Sequence, residues 1–220
     1  MIIIVYDGEG AVVAESGARP SDAEIAAALA RFEGETLQVP PLYSAVKHDG
    51  ARAYDLARRA AAGEDVELPD LAPRPLFVHR IALLARPDAD RAEIEMICGK
   101  GGYVRAVARD LGRMLGCHAH VSTLRRMAAG PFALADAVTP DALEVADPEA
   151  LILPLEVGLR GLPEVAIGPA AAEDLRHGRP VALPDGAAGA CWASSGGRAV
   201  ALATCVGGLL RPDRVIAPVD

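Results

Sequence analysis

The apolar residues near the start of the chain follow a helical period. Ile25, Leu29 and Phe32 recur on one side of a helix of about three turns. Ser21 precedes this run, and Glu24 lies three residues after Ser21, which is the spacing of a capping box. The pattern therefore predicts an amphipathic helix that begins just after Ser21.

Strand patterns lie on both sides of this helix. Residues 1–16, MIIIVYDGEGAVVAES, predict two short strands joined by a turn at residues 7–10. Residues 73–87 form a nearly continuous apolar run, and residues 91–100 alternate between apolar and polar positions. The charged turn at residues 88–91 predicts that these two segments are neighbouring antiparallel strands.

A second helical pattern, from residue 104 onwards, has two distinct faces. Its apolar residues recur at i, i+4, i+7 and i+11: Val104, Ala108, Leu111 and Leu115. Its arginines recur at i, i+4 and i+8: Arg105, Arg109 and Arg113. We predict that the apolar stripe packs on the core. The arginines then form a separate column, either a phosphate-binding surface or a solvated stripe.

The character of the sequence changes near residue 155. Beyond it, short apolar runs alternate with glycine and proline, and one helical segment, AAAEDLRHG, interrupts them. This pattern is typical of a small β-rich module. The sequence thus predicts two domains, residues 1–154 and residues 155–220.

The charge of the chain is distributed unevenly. The net charge is −8, which argues against a broad nucleic-acid-binding surface. Between residues 100 and 126, however, six basic residues stand against one acidic residue. A local patch of this kind can bind an anion that the overall charge does not suggest.

Metal and membrane chemistry find little support in the sequence. The four cysteines form no Cys-x-x-Cys pair, and His118 and His120 are too close together for the usual helical ligand pair. We expect free thiols in a reducing cytoplasm and no metal ion. The apolar start is far shorter than the ~20 residues that cross a bilayer, so no membrane partner is expected.

The start of the arginine-bearing helix is the first candidate site. Glycines at 99, 101 and 102 allow another group to approach the backbone closely. Arg105 stands in the first turn, where the helix dipole disfavours a cation, so either a negative partner holds it there or it is a solvated surface arginine. Tyr103 beside it either stacks on a base or packs in the core.

A loop further upstream is the second candidate. Tyr43, Lys47 and His48 follow Pro40 and Pro41, which stiffen the backbone. An aromatic side chain and basic side chains on a rigid loop suit the binding of unpaired bases. The alternative is an ordinary loop whose tyrosine packs on the core.

Several of these segments together resemble the bacterial tRNA pseudouridine synthase B (TruB) family. The likeness rests on FEGETLQVPPLYSAVKHDGARAYDLARRA, RPLFVHRIALL, GKGGYVRAVARDLGRMLGCHAHVSTLRRMAAGPF and LRPDRV, and covers residues 7–155 almost continuously. It implies an α+β fold, with a mixed or antiparallel sheet, flanking helices and a PUA-like C-terminal module. It also implies isomerisation of uridine 55 in the TΨC arm of tRNA, without cofactor or metal, by a cytoplasmic monomer.

The resemblance assigns roles to individual residues. The uridine pocket would contain Tyr103, Arg105 and Leu124, with the arginine pairing to the family's catalytic aspartate. The residues expected to contact RNA are Tyr43, Lys47, His48, Lys100, Arg125 and Arg126.

The chain departs from the family pattern at the nucleophile. The family carries its catalytic aspartate in a Gly-x-Leu-Asp-Pro motif upstream of the pocket motifs, and this sequence has none. Its one Asp-Pro pair, Asp147-Pro148, lies downstream and reads as a helix start. Gly99 and Gly102 replace the family's usual Ser and Thr.

We therefore expect an N-terminally truncated synthase that is inactive as this chain. A non-catalytic tRNA-binding or RNA-chaperone protein and a structural remnant that no longer binds RNA are the alternatives.

Overall fold

A computed structural model describes residues 2–3, 12–183 and 188–217. The chain divides into two compact units, residues 1–124 and residues 125–220. The boundary predicted between residues 154 and 155 falls inside the second unit, and the assignment of domains to 1–154 and 155–220 stays a prediction.

The first unit combines short and long strands with three helices. Its strands are β1 (Ile2–Ile3), β2 (Val12–Ala14), β3 (Gly34–Gln38), β4 (Lys47–His48), β5 (Ala51–Arg52), β6 (Arg74–Asp88) and β7 (Arg91–Cys98). Its helices are α1 (Asp22–Leu29), α2 (Ala53–Ala61) and α3 (Val104–Met114), and a 3₁₀ turn at Ala30–Phe32 extends α1. β1 and β2 pair antiparallel as predicted, and the turn expected at residues 7–10 lies outside the described residues.

Helix α1 begins as the sequence predicts. The Ser21 hydroxyl accepts a hydrogen bond from the Glu24 N–H at 3.3 Å, and the Ser21 N–H donates to the Glu24 carboxylate at 2.8 Å. This reciprocal pair satisfies two groups that a helix start leaves without partners. Ile25 and Leu29 are buried, and Phe32 packs against them, so the predicted apolar face is confirmed.

A three-stranded antiparallel sheet in the order β3-β6-β7 supports α1 and α3. Val78 stands at its centre, opposite Gly34 on β3 and Cys98 on β7, and it is only 1% exposed. The core comprises Ile25, Ala28, Leu29, Leu76, Val78, Ile81, Val107 and Leu111. The predicted antiparallel pairing of the two long strands is therefore confirmed.

Helix α3 is buried on more sides than its pattern predicts. Leu111 joins the core as expected, but Val107 packs there in preference to the half-buried Val104 and Ala108. The prediction of one arginine column was wrong for Arg109, which is 8% exposed, whereas Arg113 is solvated. The reason is that the segment after β3 covers the side of α3 that carries Arg109, and its Val39 carbonyl accepts a hydrogen bond from the guanidinium.

The second unit contains short helices followed by a sheet. Its helices are α4 (Pro140–Val145), α5 (Pro148–Leu151), α6 (Leu155–Leu159) and α7 (Pro169–Arg176), with a 3₁₀ turn at Leu134–Asp136. Its strands are β8 (Ala128–Ala129), β9 (Phe132–Ala133), β10 (Glu164–Ala166), β11 (Val181–Ala182), β12 (Gly189–Ser195), β13 (Arg198–Val206) and β14 (Leu209–Val215). β8 and β9 form a hairpin around residues 130–131, and the Asp147 carboxylate caps α5 at the N–H of Glu149, as its Asp-Pro pair predicts.

Five strands of this unit form one mixed sheet in the order β10-β12-β13-β14-β11. β10 runs parallel to β12, and the other neighbours are antiparallel. Leu175 of α7 packs on the sheet and is fully buried among Val200, Ala203 and Leu210. The β-rich C-terminal module with one helix against its sheet is thus confirmed, and with it the α+β class.

All four cysteines are free thiols, as expected. Two of them, Cys191 and Cys205, lie inside the C-terminal sheet with their sulfur atoms 3.3 Å apart. Burial among apolar side chains raises the pKa of the Cys191 thiol to about 12, and its contact with Cys205 adds to the shift. The thiol therefore stays protonated far above the ordinary range.

Within the described residues, no helix is long and apolar enough to cross a membrane.

The Cys191 thiol predicts a loss of stability at alkaline pH. Above about pH 8.5 the unfolded chain ionises this thiol while the folded chain does not, so the unfolded state binds fewer protons and stability falls. Relative to Cys191→Ala, the parent should lose up to about 1.4 kcal/mol of unfolding free energy per pH unit between pH 9 and 11.

Urea unfolding at a series of pH values measures this difference. Val200→Ala serves as a control, because it removes buried volume from the same core without removing a titratable group. It should lower stability by a constant amount at every pH. Parallel pH profiles for the parent and Cys191→Ala would contradict the prediction.

Candidate functional site

The N-terminal end of α3 is hydrogen-bonded to the end of β3. Gln38, the last residue of β3, donates from Nε2 to the Tyr103 carbonyl at 3.2 Å and accepts from the Tyr103 N–H at Oε1 at 2.8 Å. The Gln38 side chain is buried, and 65 residues of chain separate the two partners. This amide pair fixes where α3 begins relative to the sheet.

Two arginines of α3 hold the segment that follows β3. The Arg105 Nη2 donates to the Tyr43 carbonyl at 3.0 Å, and the Arg109 Nη2 donates to the Val39 carbonyl at 2.9 Å. Pro40 and Pro41 between them have no N–H, so they cannot donate to a strand ladder. The guanidinium groups thus donate to carbonyls of a segment that has left the β3–β6 ladder.

The Arg109 guanidinium is also paired with a carboxylate. It donates to both oxygens of Asp110, from Nε at 2.7 Å and from Nη2 at 2.9 Å. Arg113 lies 3.6 Å from the same carboxylate. The buried Arg109 guanidinium is therefore hydrogen-bonded within the protein, and its role in the site is structural.

Tyr103 packs against a small second core. This core consists of Val46, Ala53 and Leu71, and Leu42 and Tyr103 pack on it as half-buried residues. The two candidate segments of the sequence, around Tyr43 and around Tyr103, are therefore brought together in space. The tyrosine ring is supported by the core without being enclosed by it.

Lys47 and His48 lie on a hairpin, not on the irregular loop that the sequence suggested. They form β4 and pair with β5 around Asp49 and Gly50, whose φ angles are 48° and 85°. Two consecutive left-handed residues characterise a type I′ turn, and Asp-Gly is a preferred sequence for it. The Asp-Gly dipeptide was thus a hairpin signal that the sequence analysis missed.

A tyrosine on α2, Tyr54, contacts two arginines beside this hairpin. Arg52 donates from Nη1 to the Tyr54 hydroxyl at 2.8 Å, and the Arg58 guanidinium carbon lies 5.4 Å from the centre of the Tyr54 ring. We call the exposed basic side chains here the basic hairpin surface: Lys47, His48, Arg52 and Arg58. Of these, the sequence analysis identified Lys47 and His48 and missed Arg52 and Arg58.

The glycines before α3 have different physical roles. Gly101 has a φ of +88°, a left-handed conformation that other residues rarely adopt. A Cβ at Gly102 would lie 2.9 Å from the Cys98 Sγ and 3.2 Å from the Leu76 Cδ1, whereas a Cβ at Gly99 would meet only the Phe77 carbonyl, at 3.6 Å. Lys100 is exposed in this turn.

The remaining predicted residues lie further along the chain. Leu124 is 61% exposed at the end of the first unit. Arg125 and Arg126 are exposed in the second unit, where they line an open cleft of about 450 Å³ with Thr139 and Pro140. The structure thus groups Tyr43, Tyr103 and Arg105, while Arg125 and Arg126 belong to a separate basic cleft. Among the described residues, no group of His, Cys, Asp and Glu is arranged to hold a metal ion.

Known protein families match this chain across the segments just described. Residues 4–104 match the model of the TruB family pseudouridylate synthase N-terminal domain. Residues 105–160 match that of the tRNA pseudouridylate synthase B C-terminal domain. The segments that form the Tyr43, Tyr103 and Arg105 group thus lie within pseudouridylate synthase domains.

Curated relatives extend the match over nearly the whole chain. It is 52% identical over 216 residues to tRNA pseudouridine synthase B of Dinoroseobacter shibae, covering 95% of this chain and 69% of the relative. It is 43% identical to the protein of the same name from Gluconacetobacter diazotrophicus, covering 96% of this chain and 72% of the relative. The chain therefore belongs to the TruB family of tRNA pseudouridine synthases, which are isomerases.

Solved structures of more distant sequence share the fold. One is a Cbf5–Nop10–Gar1 complex, with a TM-score of 0.67 and 24% identity. Another is an H/ACA RNP bound to a substrate RNA containing 2′-deoxyuridine, with a TM-score of 0.68 and 20% identity. Both matches cover 93% of this chain, which spans 64% of the length of either matched chain.

The glycine geometry predicts a matched pair of substitutions. Gly102→Ala should destabilise the first unit by roughly 1–3 kcal/mol, because the new methyl group overlaps Cys98 and Leu76. Gly99→Ala should change stability by less than about 0.5 kcal/mol. Thermal and urea unfolding measure both variants, and a Cys98→Ala background should reduce the cost of Gly102→Ala. Equal effects at the two glycines would show that this packing does not matter.

The arginines of α3 provide a second matched pair. Arg109→Lys should lower the unfolding free energy by roughly 1–3 kcal/mol, since lysine cannot reach both Asp110 and the Val39 carbonyl with one planar group. Arg113→Lys, one turn further along and solvated, should have little effect. Urea unfolding measures both, and an Arg109→Lys protein as stable as the parent would mean that the buried contacts contribute nothing.

Proposed function

We propose that this chain binds the TΨC arm of tRNA as a member of the pseudouridine-55 synthase family. The observation that carries the proposal is the group formed by Tyr43, Tyr103 and Arg105 at the start of α3, where Arg105 donates to the Tyr43 carbonyl. Half-buried tyrosines and a guanidinium that lies against the backbone of one of them suit a uridine taken out of its stack. Leu124 completes this pocket in the proposal, as the family resemblance implies.

The basic hairpin surface supports an RNA partner. Lys47 stands directly opposite Arg52 in the β4–β5 register, and like charges in that position repel. A phosphate between them would turn this repulsion into attraction. Lys100 in the exposed turn before α3 and the Arg125–Arg126 cleft of the second unit provide further cations for the RNA backbone.

The chemistry proposed for the family needs a carboxylate that this sequence does not carry in the expected motif. An aspartate attacks the flipped uridine or its sugar, the base detaches and rotates, and it rejoins through carbon. The carboxylate on α3, Asp110, is engaged by Arg109 and Arg113 and cannot replace that aspartate. We propose that the 220-residue chain on its own binds tRNA without isomerising it.

Salt-dependent binding tests the proposed function. Affinity of the chain for a TΨC stem-loop should fall with rising salt, because each phosphate contact releases counterions. Lys47→Ala and Arg126→Ala should each reduce the log–log salt slope by about 0.7–0.9 per lost contact. Arg91→Ala, an exposed arginine outside both surfaces, is the matched control and should leave the slope unchanged.

Two outcomes would defeat parts of this proposal separately. Affinity that is independent of salt, or a slope that none of these substitutions changes, would remove the RNA-binding surface. Pseudouridine formed in the stem-loop at an enzyme-like rate would leave binding intact and refute the absence of catalysis.

A further inference from the structure

Gln38 is the only glutamine of the chain, which has no asparagine, so no other side chain offers a carboxamide. A carboxamide carries a donor and an acceptor at one planar end, as a peptide group does. Gln38 uses both on one residue, because it binds the carbonyl and the N–H of Tyr103 at 3.2 and 2.8 Å. With 6% of the residue exposed, it cannot contact a large ligand itself.

The residue that Gln38 holds lies at the start of a helix. Tyr103 is the N-cap residue of α3, with φ −101° and ψ 104°, and its carbonyl also accepts from the N–H groups of Ala106 and Val107 at 3.0 and 3.2 Å. No side chain caps α3 from the Tyr103 position. The backbone of Tyr103 is therefore fixed by Gln38 on one side and by the first helical turn on the other.

We propose that Gln38 is a positioning residue for uridine recognition. It holds the Tyr103 backbone so that the tyrosine ring, and Arg105 two residues later, face the base. This inference rests on the proposed RNA-binding function. It assigns Gln38 an effect on the recognition of the base and none on the cations that bind phosphate.

A purely structural role makes a different prediction. If Gln38 only satisfied buried backbone groups, its loss would reduce the folded fraction and weaken every RNA alike. If it positions Tyr103, its loss should weaken the part of the affinity that depends on the base. Two RNAs that differ only in that base separate the two roles.

The experiment compares a TΨC stem-loop containing uridine 55 with the same stem-loop abasic at that position. Stacking of one base leads us to expect about tenfold tighter binding of the uridine RNA by the parent chain. In Gln38→Leu this ratio should fall to about twofold or less, with an unchanged salt slope for the abasic RNA. Gln38→Glu keeps the acceptor for the Tyr103 N–H but, when ionised, turns a second acceptor instead of a donor towards the Tyr103 carbonyl, so it should also lower the ratio.

The neighbouring residue on β3 supplies the control. Leu37 is 71% exposed and uncharged, so Leu37→Ala should keep the parent's ratio. Circular dichroism establishes the folded fraction of each variant, and Gln38→Glu serves as the test if Gln38→Leu does not fold. If Gln38 acts through Tyr103, Tyr103→Ala should abolish the base preference, and adding Gln38→Glu should lower the ratio no further.

The outcomes separate the inference from the function on which it rests. A parent that binds with a base preference, together with folded Gln38 variants that retain it, would overturn the positioning role. A further loss when Gln38→Glu is added to Tyr103→Ala would also overturn it. A parent that does not bind either RNA would overturn the proposed function and this inference together.

Discussion

The first unit depends on how the backbone after β3 obtains hydrogen bonds once it leaves the sheet. Pro40 and Pro41 cannot donate, so the segment cannot continue as an ordinary strand. Two of its carbonyls instead accept hydrogen bonds from α3, from Arg105 and Arg109. Gln38 adds the reciprocal amide pair at the start of the helix. The position of Tyr103 beside Tyr43, and so the candidate pocket itself, follows from these contacts.

These hydrogen bonds also change the interpretation of the positive charge around α3. The cluster of cations around α3 suggested a continuous phosphate-binding surface, but the cations have different environments. Arg109 is desolvated and paired with the partly exposed Asp110, so removing Asp110 would leave the buried Arg109 charge without its carboxylate. Arg113, Lys47 and Arg52 are exposed, and their attraction for an anion is screened by salt. Exposed cations such as Lys47 and Arg52 thus give an acidic chain a local positive surface, whereas the Arg109 charge is paired inside the protein.

Binding and chemistry make separable demands on a pseudouridine synthase site. Binding needs an aromatic surface and cations placed along an RNA backbone, and α3, the hairpin and the Arg125–Arg126 cleft offer these within their own units. Covalent chemistry needs a carboxylate at the reacting base, and cations or packing cannot replace it. A surface that suits RNA binding therefore does not by itself establish the covalent step.

The features that arise from neighbours along the chain could be predicted from the sequence. These are the capping box of α1, the antiparallel pair β6–β7, the β-rich end with α7, and the family, because its motifs are contiguous and in order. The sequence also contained the Asp-Gly signal of the β4–β5 hairpin. The burial of Arg109 and the contact between Gln38 and Tyr103 became visible only in the folded chain. Those contacts join residues 65 to 70 positions apart, and periodicity along α3 shows which residues share a face but not which distant segment covers it.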